Sequence, residues 1–210
     1  MRMRNKPWVE AFLADFSTEV LINDPISYKG SWHQVLACDK LHVEIGTGKG
    51  DYWLTMAEQY PRDGWIGIEK ERNVAAMALK KSLSVNLKNI KYILNDADKI
   101  SEWFAIDEID VIHLNFSDPW PKKRNTKKRL THDSFLDQYR LLLKDDGQII
   151  MKTDNQKLFE YSLLNMQATW QLVDVWLCFR QSEQLDAITE YEKKFMEEGK
   201  PIYRAIWQKR

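Results

Sequence analysis

An open, mainly parallel α/β sheet is the fold class predicted by this 210-residue chain, and three observations predict it. Short apolar runs alternate with amphipathic segments of helical period, a glycine-rich turn follows one of the first runs, and acidic residues recur where the runs end. Sheets of this kind bind ligands beyond the carboxyl ends of their strands, so the recurrent acids fall where a site belongs.

The elements follow in order. Residues 1–40, with Trp8, Phe12, Phe16, Tyr28 and Trp32, read as a helix and loop packed on a single domain that spans 1–210. "LHVEIGTGKGDYWLTMAEQYP" reads as a buried strand, a glycine turn and a helix that begins near Asp51 and is closed by Pro61. "GWIGIEKERNVAAMALKKSLSVN" repeats that order, with a strand from Trp65 to Ile68 and a helix rich in Ala, Leu and Lys. "IKYILNDADKISEWFA" and "IDVIHLNFSDPW" each supply a strand that ends in polar residues. "THDSFLDQYRLLLKDDG" reads as a helix with Thr131 or Asp133 as N-cap and Gly147 near its stop, and "QIIMKTDNQKLFEYSLLNM" as a strand and a helix. "TWQLVDVWLCFRQSE" and "PIYRAIWQKR" read as two strands with a short helix between them, an antiparallel extension of the sheet.

Composition sets the outer limits of function. With 44% hydrophobic and 30% charged residues the chain is globular, and Lys plus Arg (31) balances Asp plus Glu (31), so any nucleic-acid contact must come from local clustering. Between Lys122 and Arg129, six of eight residues are cationic. There is neither an apolar leader segment nor an uncharged run of membrane length. Cys38 and Cys178 form no paired motif, which predicts free thiols in a reducing, cytoplasmic setting. The four histidines (His33, His42, His113, His132) are dispersed, and no metal site is expected.

"EIGTGKGD" places Glu44, Gly46, Gly48 and Gly50 at the first strand-to-helix turn. A nucleotide-binding P-loop needs Ser or Thr after Gly-Lys, and here Gly50 follows Lys49. A dinucleotide fingerprint wants glycine where Asp51 sits, and an acid there disfavours pyrophosphate. S-adenosylmethionine, with a sulfonium and an amino-acid end, tolerates carboxylates and suits Glu44. Glu69, at the end of the second strand, suits the hydroxyls of a ribose; Asp96 suits the adenine end, with Asp98 as its competitor. Taken singly, each acid reads equally well as a strand-end or capping residue.

"SDPWPKKRNTKKRL" joins an acid to a run of cations. Asp118 belongs at the carboxyl edge of the sheet, in a partial match to the Asp/Asn-Pro-Pro-aromatic loop of amino methyltransferases. The second proline before the ring is missing, and Trp120 alone reads more readily as core. The basic run reads either as a solvated loop or, because it adjoins Asp118, as a grip on nucleic-acid phosphates.

Together "VEIGTGKGD", "GIEKE", "NDA", "SDPWPKKRNTKKRL", "KTDNQKLFEYS" and "TEYEKKFMEEGKPIYR" resemble bacterial tRNA (guanine-N7)-methyltransferase in order and spacing, from Val43 to Arg204. The resemblance implies a seven-stranded Rossmann-like fold that moves a methyl group from S-adenosylmethionine to N7 of the variable-loop guanine at tRNA position 46. It assigns Glu44, Glu69, Asp96 and Asp118 to the cofactor, with Asp118 also catalytic. Lys122, Asp154, Thr189, Glu190, Tyr191 and Glu192 match its substrate positions, and Arg124, Asn125, Thr126, Lys127, Lys128 and Arg129 its RNA-contacting segment. Many relatives carry histidine where Asn125 and Thr126 stand. Two residues keep a second reading: Thr189 and Glu192 have the spacing of a capping box, and Asp154 could cap the helix that starts near Asn155. Expected partners are tRNA and no membrane, with the protein a monomer or homodimer. Methylation of an exocyclic amine, or RNA binding without catalysis, are the alternatives to be separated by product mapping.

Overall fold

A computed structural model describes residues 6–16, 18–179 and 186–210. Residues 1–5 of the expected N-terminal segment, and the end of the expected strand from Arg180 onward, lie outside the described residues, as does the side chain of Glu190. The strands are β1 (Leu21–Ile22), β2 (Leu41–Ile45), β3 (Gly64–Glu69), β4 (Ile90–Leu94), β5 (Ile109–Asn115), β6 (Leu143–Thr153), β7 (Trp170–Trp176) and β8 (Tyr203–Lys209). The helices are α1 (Trp8–Asp15), α2 (Trp32–Leu36), α3 (Asp51–Gln59), α4 (Arg72–Ser82), α5 (Ile100–Trp103), α6 (Asp133–Leu142), α7 (Gln156–Met166) and α8 (Glu190–Glu197).

The sheet runs β1-β4-β3-β2-β5-β6-β8-β7, with parallel pairs from β1 to β6 and β8 antiparallel to both β6 and β7. It thus has eight strands where seven were expected. The additional strand is β1, two residues that pair with Tyr92 and Ile93 and cover the outer edge of β4. A pair of residues is too short to carry an alternating pattern, and Leu21–Ile22 sits between polar turns, so no strand signal stands out.

Apolar residues cover both faces of the sheet. Trp65 packs in one cluster with Val9, Trp53 and Leu79, whereas its neighbours Ile66 and Ile68 pack in the other with Trp32, Trp103 and Phe135, as the alternation of a strand requires. The first forty residues contribute more than a helix and loop. Trp32 in α2 is fully buried and donates from Nε1 to the Trp103 carbonyl at 2.8 Å. Two local expectations are corrected. His132 caps α6, its Nδ1 accepting from the Ser134 amide, in place of Thr131 or Asp133. Gly147 lies inside β6 rather than at a helix stop, because α6 passes straight into the strand at Leu143.

Strand order reverses between β2 and β5, since β2 leads outward to β3 and β5 outward to β6. In open sheets of this kind a crevice lies between the loops beyond two such strands, at the switch point.

Candidate active site

The first wall of the crevice is the glycine turn after β2. Gly46, Gly48 and Gly50 all adopt the left-handed backbone (φ +80°, +60° and +81°), which an L side chain takes up only at a cost. A Cβ at Gly50 would also stand 2.9 Å from that of Ala78, so glycine here lets α3 start against α4. Glu44, at the inner end of β2, is buried and accepts from the Asn115 amide at 2.9 Å across the gap to β5. The other acceptors of this pair, Glu44 Oε2 and Asn115 Oδ1, are buried without a hydrogen-bond partner among the described residues. Once Glu44 is ionised, the two orphaned oxygens of this pair call for a donor, best a cationic one. Burial lifts the Glu44 carboxyl to about 8, against the pull of the Asn115 hydrogen bond and the Lys152 charge.

Glu69, at the end of β3, ties the turn to the next helix. Its Oε2 accepts from the Gly48 amide at 3.1 Å, and its Oε1 from the Lys70 and Glu71 amides at 2.9 Å each. Burial raises its pKa, opposed by those three amides. Asp96 both pairs with Lys70 (3.2 Å) and caps a short 3-10 turn by accepting from the Asp98 amide. Asp98, the competing acid, is exposed.

The second wall is the loop after β5. Phe116 and Trp120, on either side of Asp118, hold positive φ angles of +50° and +41°. For bulky L residues each such angle costs about 1–3 kcal/mol and persists only where the surroundings enforce it. The Phe116 amide donates to the Lys152 carbonyl at 2.8 Å, and Arg129 donates to the Pro119 and Trp120 carbonyls at 3.0 and 3.2 Å. Asp118 is exposed at the crest. Trp120 is half-buried rather than core, with the Lys128 ammonium 4.8 Å from its ring centre. The basic run forms a 3-10 turn, Lys123–Lys128, with Lys122, Lys123, Arg124, Lys127 and Lys128 exposed and Asn125 and Thr126 half-buried.

The third wall comes from α8. Thr189 and Glu192 form the capping box: Thr189 Oγ1 accepts from the Glu192 amide at 2.9 Å, and Glu192 Oε2 accepts from the Thr189 amide at 3.3 Å. The same Glu192 oxygen meets Lys152, a fully buried lysine on β6 that also donates to Asp186 (3.2 Å) and the Ala187 carbonyl (3.0 Å). All three ammonium protons are thereby used, and the charge lies 4.6 Å from the centre of the Tyr52 ring. Tyr191 points outward and is exposed; its ring stacks on Phe195 at 6.4 Å, and Phe195 reaches Phe116 at 5.8 Å. Asp154 is half-exposed and does not cap α7; Asn155 does, accepting from the Leu158 amide at 2.9 Å.

The structure therefore gathers Glu44, Glu69, the glycines and Asp118 around one crevice, and divides the "TEYE" stretch into inward Thr189 and Glu192 and outward Tyr191. Asn115, Lys152 and Phe195 lie in that arrangement without having been singled out in the sequence. Asn115 was open to detection, standing three residues before Asp118 at the end of an apolar strand. Beneath the site, two of the dispersed histidines meet: His42 Nδ1 and His113 Nε2 are 2.9 Å apart, and the Tyr52 hydroxyl lies 3.1 Å from His113 Nδ1. Burial holds His113 well below the usual imidazole range, and Asp63, 3.4 Å from His42 Nε2, is held below the carboxylate range by that ring. No group of three or more potential metal ligands occurs among the described residues.

A family model described as "Putative methyltransferase" (Methyltransf_4) matches residues 39–205. Proteins named tRNA (guanine-N(7)-)-methyltransferase match nearly end to end. That of Limosilactobacillus reuteri is 43% identical over 98% of this chain and 98% of the relative, and that of Oceanobacillus iheyensis 44% over 97% of each. The Bacillus subtilis protein is 42% identical over 98% of this chain and 97% of the relative. Among solved structures, a 16S rRNA (adenine(1408)-N(1))-methyltransferase from Catenulisporales acidiphilia superposes with a TM-score of 0.62 at 14% identity, covering 89% of this chain and 91% of that one. That likeness is one of fold.

Proposed function

We propose that this chain, which belongs to the tRNA (guanine-N(7)-)-methyltransferase family, uses the crevice between β2 and β5 to methylate guanine N7 in tRNA. S-adenosylmethionine is the methyl donor, and the residues present fit it. The observation that carries this reading is the pair of orphaned buried acceptors, Glu44 Oε2 and Asn115 Oδ1, which suit the ammonium of its amino-acid end. Glu69 would accept from a ribose hydroxyl with the one lone pair on Oε2 that its three amides leave, and Asp96 would border the adenine. When bound, the cofactor supplies an electrophilic methyl group on a sulfonium.

Guanine N7 carries a lone pair, so no proton need be removed before attack and positioning dominates. Asp118 orients the base and offsets the positive charge that the purine gains as the methyl group arrives. Asp154, half-exposed at the end of β6, supplies acceptors for the N1 and N2 donors of the guanine edge. Tyr191, exposed and linked through Phe195 to the Asp118 loop, offers a ring on which a base can stack. Lys122, Arg124, Lys127 and Lys128 grip the tRNA backbone through phosphates.

The target is the variable-loop guanine at position 46, whose N7 must be freed locally from tertiary contacts. We place the reaction in the cytoplasm, where the free thiols of Cys38 and Cys178 persist, with the enzyme a monomer or homodimer. Incubation of unmodified tRNA with labelled S-adenosylmethionine, followed by reduction, aniline cleavage and nucleoside mapping, tests the proposal. Cleavage at the variable-loop guanine is expected. A labelled exocyclic amine without cleavage, or tRNA binding without label transfer, would overturn it.

A further inference from the structure

We propose that Arg129 is a positioning residue that braces the Asp118 loop in its reactive shape, and not one of the phosphate contacts of the basic run. The inference rests on the reading of residues 118–120 as the loop that meets the base.

The geometry separates Arg129 from its neighbours. Lys122, Lys123, Arg124, Lys127 and Lys128 are exposed, whereas Arg129 is half-buried and turned back toward the protein. Its Nε donates to the Pro119 carbonyl and its Nη2 to the Trp120 carbonyl, while the guanidinium carbon lies 4.3 Å from the centre of the Tyr161 ring. One planar fork thus spans two successive carbonyls and stacks on an aromatic face, a combination that lysine cannot reproduce.

What the fork holds is a backbone that resists its own shape. Trp120 sits at φ +41° and Phe116 at φ +50°, conformations that survive where neighbours enforce them. The Phe116 side is enforced by the Lys152 carbonyl on β6, and the Trp120 side by Arg129. The brace has a firm footing on α7. Tyr161 belongs to that helix, and the segment that follows Arg129 is latched to it by Thr131 Oγ1 with Ser162 Oγ (2.7 Å) and by the Asn165 amide donating to the Thr131 carbonyl (3.0 Å). Loss of the fork frees the Trp120 end of the loop, and with it the direction in which Asp118 points.

Arg129→Lys keeps the charge and removes the fork. In that variant, turnover at saturating tRNA should fall roughly 10- to 100-fold while tRNA affinity stays within about twofold. In the free protein, without tRNA or cofactor, amide exchange at Ser117, Asp118 and Trp120 should quicken relative to β5. Tyr161→Leu, which alters no charge, should quicken the same amides to a lesser degree. Unchanged loop exchange in both variants would overturn the brace. So would wild-type turnover in Arg129→Lys combined with a salt slope of tRNA binding reduced by about one in Arg129→Gln, the signature of a phosphate contact. Faster exchange with undiminished turnover would uphold the contacts and overturn the loop's part in the reaction, so the two failures are told apart.

Discussion

Two stretches around the crevice use the same chemistry in opposite settings. In the basic turn after Asp118, the lysines and Arg124 stand exposed and in no ion pair among the described residues; at the base of α8, Lys152 is fully buried and ringed by Glu192, Asp186 and the Ala187 carbonyl. An exposed cation keeps its hydration and contributes little to folding, yet remains available to a phosphate. A buried one forfeits hydration, so its partners must be complete, and it then holds structure rather than ligand. The difference teaches that a matching motif of charged residues does not by itself define a binding surface. In the "TEYE" stretch, Thr189 and Glu192 form the capping box, and Tyr191 faces outward.

The sharpest way to break this contrast is to remove the buried charge. Lys152→Met takes a buried ammonium away from Glu192 and Asp186, and should cost about 3–5 kcal/mol in denaturant unfolding. A loss under about 1 kcal/mol would show that the cluster is not closed to water. Asp118, exposed and in no side-chain hydrogen bond or ion pair among the described residues, should behave in the opposite manner. Asp118→Asn is expected to lower turnover by roughly 10²-fold while leaving the melting curve in place, and full turnover would remove it from the reaction.

Glu44 stands between the two cases, being buried but with one oxygen unpartnered among the described residues. Its folded pKa of about 8 exceeds the unfolded value near 4.3, so between them the folded state holds a proton that the unfolded chain has lost. Stability of the free protein from this group therefore falls as pH rises toward 8, by at most about 1.4 kcal/mol per pH unit. Below about pH 6.5, buried neutral His113 adds the opposite slope, because only the unfolded imidazole takes up a proton. Urea unfolding between these limits should show the decline in the native protein and not in Glu44→Gln. A cationic ligand favours the carboxylate, so cofactor affinity should weaken as pH falls below about 8, and calorimetry should record proton release on binding.

On the exposed side, Lys127→Ala with Lys128→Ala should weaken tRNA binding about tenfold and lower the salt slope by about two, with stability within ~0.5 kcal/mol of wild type. An unchanged slope would separate these lysines from phosphate. The smallest effect sharpens the buried side: Thr189→Ala removes one half of the capping box and should cost about 1 kcal/mol, with tRNA affinity kept.

Much of this architecture was legible in the sequence because its signals are local. The buried parallel strands announce themselves as continuous apolar runs, the glycine turn by three residues that must tolerate positive φ, and the capping box by the Thr189 to Glu192 spacing. What escaped depends on contacts distant in the chain. β1 pairs with the outer edge of β4; half-buried Trp120 has its carbonyl met by Arg129; Asn115 bonds Glu44, 71 residues away, across the switch point. His42 and His113, likewise 71 residues apart, looked dispersed and meet through the pairing of β2 with β5. Lys152 read as one more strand residue, since nothing in "MKTD" marks a lysine that three acceptors will enclose.

One carboxylate oxygen of Glu192 closes the capping box of α8 and also accepts a hydrogen bond from the Lys152 ammonium. Starting the helix and seating it on β6 are therefore a single event. If the Glu192 carboxylate swings away from Lys152, the first turn loses half of its capping box; if that turn frays, the ammonium loses a counter-charge. The segment that presents Tyr191 should open as one cooperative unit, with its protected amides exchanging together at a common free energy rather than fraying from the tip. Tyr191 is then either fully presented or absent, with no partly seated form in which to meet the tRNA.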